Sequence, residues 1–200
     1  AGPAKAALNA LTEFGKQVTN PARVKVAFAE AMADPRPASS EALPVAVMAQ
    51  AAMGDLAALV DAAEDPRPFV RDVAVFALRA ALPADPAAPA ELRRQLQDKA
   101  RLSPDQADAA LQLLRGLPDP GKPAPATLDR LIDQLNAGRL ILRQLAFSVL
   151  LIEADPESRG NRALNRFDAG ASQEQRDAVV REWKRRVEEL KKKPAEPAKK

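Results

Sequence analysis

The eighteen prolines of this 200-residue chain constrain its fold more than any other feature. Inside a helix a proline removes a hydrogen bond and clashes with the preceding turn, so a stable chain must hold its prolines between elements. They cluster at Pro35/Pro37, Pro66/Pro68, Pro83/Pro86/Pro89, Pro118/Pro120/Pro123/Pro125 and Pro194/Pro197. Five Asp-Pro steps, at Asp34, Asp65, Asp85, Asp119 and Asp155, start turns and push the residue before proline out of the α region. The runs between are rich in alanine, and aromatics make up only 4% with no Tyr. That palette favours close-packed helices over strands. The expected fold class is all-α.

The corners predict helices near 21–33, 41–53, 55–64, 68–82, 89–101, 104–116, 126–136, 139–154 and 173–191. Asn20-Pro21 pairs an N-cap with proline at the first helical position. Ser103-Pro104 repeats that pairing, and Gln106 completes a capping box. Gly54 and Gly116 stand where a C-terminal cap is wanted. Short helices joined by tight corners form antiparallel hairpins.

Hairpins starting near 21, 55, 90 and 126 recur every 35 residues or so, roughly the period of helical-repeat units. Sliding the chain by 72 residues, two such units, sets Leu56 on Leu128, Leu59 on Leu131 and Asp61 on Asp133. Without a gap, Arg67 then meets Arg139, Arg71 meets Arg143, Ala74 meets Ala146 and Leu78 meets Leu150. Most of the matches fall on the apolar helical face, where packing would hold them, and they include two arginines and one aspartate.

These residues resemble the HEAT repeats. In that family a helix pair carries Asp at its inner turn and Val-Arg at the start of its second helix, and Asp65, Val70 and Arg71 match that pattern. The second copy keeps Leu142-Arg143 and has Ala137 in the Asp position, while Ala57 and Asp129 stand where the family has a proline. The resemblance implies an α-solenoid of about four antiparallel hairpins over 1–170. It also implies that Asp65, Arg71 and Arg143 are structural links between repeats, and that the chain is a scaffold or binding platform. Each hairpin of such an array is too small to bury its own apolar face, so the units stack and a polar element caps the end. The segment 171–191 suits that role. Ser172 and Gln175 offer a capping box, and Val180, Trp183, Val187 and Leu190 form a narrow stripe on a charged helix. Trp183, with Phe167 nearby, is the expected capping residue, and 192–200 reads as a disordered Lys/Pro/Ala tail.

Composition narrows the chemistry. No Cys means no disulfide, thiol nucleophile or thiolate metal site, and no His removes the commonest general base and zinc ligand. No catalytic, metal or cofactor site is expected. The segment from Lys184 to Lys200 holds eight cations against three anions, +5, and the remainder 22 against 24, −2. A slightly acidic body is a poor footprint for nucleic acid. No apolar run reaches the ~18 residues of a membrane span; the longest, Leu140 to Ile152, carries Arg143. That run reads as a helix buried on both sides, with an exposed dimerisation face as the alternative. The start at Ala1 carries no signal-peptide pattern and reads as trimmed or mature, and continuation of the array in a longer protein stays open.

The candidate partner-binding residues are Arg93, Arg94 and Arg101, clustered with Lys99 on one predicted helix. With Asp98, Asp105 and Asp108 nearby they read as a salt-bridged face, with a phosphate groove as the alternative. Arg159, Arg162 and Arg166 could gather an anion, though no Gly-rich cradle accompanies them. The expected function is a non-enzymatic module that docks a protein or peptide. The alternatives are a nucleic-acid-binding, DNA-glycosylase-like solenoid and a bilin-lyase-like HEAT protein.

Overall fold

The computed structural model describes residues 42–120 and 123–192, together with Val26. The expected helix over 21–33, its Asn20-Pro21 cap and the tail beyond Lys192 lie outside the described residues. Among those described, every regular element is helical. Eight α-helices run as α1 (Ala42–Ala52), α2 (Leu56–Ala63), α3 (Pro68–Ala81), α4 (Ala88–Asp98), α5 (Pro104–Arg115), α6 (Pro125–Gln134), α7 (Leu140–Val149) and α8 (Gln173–Lys192). None of them is long and apolar enough to cross a membrane.

Most of these helices start at a proline or a cap, whereas α7 opens at Leu140 behind the extended Arg139 with neither. Asp55 accepts from the Ala58 N–H at 3.2 Å and opens α2. Arg67 and Ala124 hold extended backbone immediately before Pro68 and Pro125, as a residue preceding proline must. Ser103 and Gln106 exchange the two bonds of a capping box before α5, and Ser172 and Gln175 do so before α8. Gly54 and Gly116 take left-handed φ of 68° and 84° at the ends of α1 and α5.

The chain gathers into two compact units that divide between Leu111 and Gln112, inside the last turns of α5. In the first, α3 packs against both α1 and α2, and α2 also meets α4. Leu43, Val47, Leu59, Val60, Val70, Ala74, Val75, Leu78, Leu92 and Leu96 are buried there. In the second, α6 packs against α7 and α8, around Leu128, Leu131, Leu135, Phe147, Leu150, Phe167 and Trp183.

The sequence predicts one uninterrupted helix over 139–154, and the structure differs there. After Val149 the ladder widens into a π turn, Leu150–Ala154, closed by the Asp155 N–H bonding the Leu150 carbonyl at 2.9 Å. The wider turn delivers the Glu153 carboxylate to the Leu117 N–H, beside Gly116. Between Asp155 and α8 lie two 3₁₀ turns, Pro156–Gly160 and Leu164–Arg166.

Candidate docking face

The corner between α2 and α3 is built by two arginines. Arg67 wraps the Asp65 carboxylate with its backbone N–H and Nε, both at 2.8 Å, and Nη2 at 2.7 Å. Burial alone would raise the Asp65 pKa, but the hydrogen bonds and charge of Arg67 outweigh it and hold it below the usual carboxylate value. Arg71 is fully buried, and its Nη1 donates to the carbonyls of Asp65 and Pro66 at 2.8 and 2.9 Å. In the second unit Arg143 sends Nη1 to the Ala137 carbonyl and Nε to the Ala169 carbonyl, each at 2.7 Å. In both copies the bond to the turn ends on a main-chain oxygen, so it survives the change from Asp65 to Ala137. A buried guanidinium held by carbonyls is a structural part, since a charge taken out of water must be hydrogen-bonded.

Arg93 and Arg94 meet carboxylates. Arg93 forms a two-pronged pair with Asp108 at 2.6 and 2.9 Å. Arg94 does the same with Glu91 at 3.0 and 2.6 Å, and Asp98 lies 3.7 Å away. The bond and charge of each partner raise both arginine pKa values. Lys99 pairs with Asp61 at 3.2 Å. Arg101 lies exposed and turns the chain with a left-handed φ of 53°. Arg93 and Arg94 thus stand on α4 bound to carboxylates, while Arg101 follows beyond the end of that helix.

Trp183 is fully buried, its Nε1 donating to the Leu164 carbonyl at 3.3 Å. Phe147 stands edge-on to it at 6.5 Å and tilted against Phe167 at 5.1 Å. One turn along α8, Arg186 grips the buried Asp155 through Nε at 2.6 Å and Nη2 at 3.1 Å, and the Ser158 hydroxyl donates to the same carboxylate. The Asp155 bond, opposed by burial, drives the Arg186 pKa well above its ordinary value. Beside this node lies a cleft of about 310 Å³ bordered by Glu157, Asn161, Glu182, Arg185 and Glu189. Its charges answer one another: Arg185 pairs with Glu182, and Arg186 also lies 3.6 Å from Glu157 and 3.4 Å from Glu189. With three carboxylates against two guanidiniums, the rim of the cleft carries a net negative charge. Arg159 donates to the Ile152 carbonyl at 2.9 Å, while Arg162 and Arg166 lie exposed. Among the described residues no acidic cluster could hold a metal ion.

The remaining feature is apolar. The helical run 140–152 is buried at Ile141, Leu142, Leu145, Phe147, Val149 and Leu150, whereas Ile152 is exposed. Exposed large apolar residues concentrate instead in the first unit: Val45 at 54%, Phe69 at 38% and Phe76 at 49%. Their placement follows a short echo in sequence. "VAVMA" at 45–49 in α1 and "VAVFA" at 73–77 in α3 bury the same three positions, Ala46/Ala74, Val47/Val75 and Ala49/Ala77. Both turn the other two, Val45/Val73 and Met48/Phe76, away from the core, half or fully exposed. Because α1 packs on α3, two neighbouring helices each carry an apolar stripe outside the core. Sequence reading found the repeat at 72 residues and missed this shorter echo, which an alignment of the two pentapeptides would have revealed.

No family model, curated protein or solved structure matches this chain.

Proposed function

We propose that the chain is a non-enzymatic docking module: a HEAT-like α-solenoid of about four hairpins, capped by α8, whose α1/α3 stripes bind an amphipathic helix of a protein partner. The carrying observation is the outward apolar set Val45, Met48, Phe69 and Phe76 on two helices whose opposite faces already fill the core. A helix that is apolar on both sides exposes a surface that another apolar element can cover. Paired stripes suit a partner helix with anchors at i, i+3, i+4 and i+7. The bond that Arg71 and Arg143 each send to the carbonyl six residues before supports the repeat architecture, and the carboxylate pairing of Arg93 and Arg94 argues for a protein over a polyanion.

The test is capture from a lysate of the source cells with the tagged 200-residue chain, with and without nuclease and across a salt series. A partner that resists nuclease and is lost with Phe76→Asp, but retained with Arg93→Gln/Arg94→Gln, is the expected result. Nucleic acid released steeply by salt, or a partner indifferent to Phe76→Asp, would overturn the proposal.

A further inference from the structure

The end of α7 carries two carboxylates that serve different neighbours. Pro156 keeps Asp155 out of the α region, so the helix must stop at Ala154. What remains to vary is how tightly its last turn is wound. The Asp155 N–H reaches the Leu150 carbonyl at 2.9 Å, one residue further back than the Leu151 carbonyl of an α ladder. From this wider turn the half-buried Glu153 accepts the Leu117 N–H at 2.5 Å. The buried Asp155 accepts Nε and Nη2 of Arg186 at 2.6 and 3.1 Å. Arg159 donates to the Ile152 carbonyl at 2.9 Å, one of the acceptors that a helix end leaves open. Donors from three separate segments thus converge on one turn.

We infer that this π turn is a latch that couples the corner after α5 to the seat of α8. The Glu153–Leu117 clasp holds the winding in which Asp155 faces Arg186. The Asp155–Arg186 clasp in turn holds the winding in which Glu153 faces Leu117. Returning the Asp155 N–H to Leu151 would wind the turn by one residue step, about 100° around the axis, and draw both carboxylates off their donors. Space at the corner enforces the arrangement. Gly116 has a φ of 84°, and a Cβ added there would stand 2.6 Å from a Glu153 oxygen. A displacement at that corner therefore presses on Glu153 first and, through the winding, on Arg186. Arg186 lies one turn from Trp183, whose buried ring meets Phe147 of α7. A shift at Gly116 thereby reaches the residue that anchors the cap.

Two measurements on the 200-residue chain test the coupling. The first is a double-mutant cycle in urea with Glu153→Ala and Arg186→Gln. The double variant should fall short of the product of the two single effects on the unfolding equilibrium constant by about fivefold or more. A product obeyed to within about twofold means independent clasps and overturns the inference. The second is amide hydrogen exchange in Gly116→Ala, which disturbs Glu153 and leaves the sequence of α8 intact. Amides of α8 near Trp183 should exchange about fivefold faster or more, and by a larger factor than those of α6. Equal acceleration in α6 and α8 is a plain loss of stability. That result, or acceleration confined to the Gly116–Leu117 corner, overturns the inference.

Discussion

Arg71 and Arg143 stand 72 residues apart, and each sends Nη1 to the carbonyl of the residue six positions before it, Asp65 at 2.8 Å and Ala137 at 2.7 Å. One side chain and one main-chain oxygen thus make the same corner twice. Arg71→Ala would remove the donor that the part-buried Asp65 and Pro66 carbonyls share and open a cavity. A loss of about 2–4 kcal/mol is expected in urea unfolding. Arg143→Ala should cost less, because Arg143 is only half-buried. Equal costs would show that burial does not set the difference.

Acid should act through the Asp65 carboxylate. Its folded pKa lies below its unfolded value, so its contribution to stability is fully present above about pH 4 and lost as pH falls through the folded value. Asp65→Asn removes that dependence. Chemical melts between pH 2 and pH 6 should show a flatter stability profile for the variant. Parallel profiles would mean that the Arg67 clasp contributes nothing to folding.

Three left-handed corners separate conformational strain from space. Gly54→Ala meets nothing within 4 Å and should lose only the ~1 kcal/mol of a side chain at positive φ. Gly116→Ala places a Cβ 2.6 Å from a Glu153 oxygen and should cost clearly more. Arg101→Gly relieves a strained non-glycine φ and should stabilise by up to about 1 kcal/mol. Thermal melts of the three variants check the order.

Trp183 is the only tryptophan and is fully buried. Trp183→Ala should cost about 3–5 kcal/mol, while Trp183→Phe, which loses the bond to Leu164, should cost much less. A mild loss in Trp183→Ala would mean that α8 is held mainly by Arg186 and Asp155.

Where helices start was legible because proline, Asp-Pro and capping boxes act locally: Pro68, Ser103 and Ser172 declare their corners whatever surrounds them. The π turn was not legible, because it depends on what Glu153 reaches. A carboxylate that bonds the Leu117 N–H, 36 residues away, leaves no signal in its own segment. The outward apolar stripe of α3 was hidden for a different reason. The predicted helix over 68–82 has enough apolar residues to fill two faces, and counting them does not say that Val75 turns in and Phe76 out. Arg67 was missed as the partner of Asp65 because a clasp within a turn obeys no helical period.

The claim that the α1/α3 face is where this chain meets another polypeptide is tested most directly by photo-cross-linking inside the source cells. A photoreactive phenylalanine analogue would replace Val45, Phe76 or, as an exposed control on α6, Asp129. Cross-linked species at positions 45 and 76, mapping to the apolar side of a helix, and none at 129 are predicted. Adducts at 129 as abundant as those at 45 and 76, or none at the stripe positions, would contradict it.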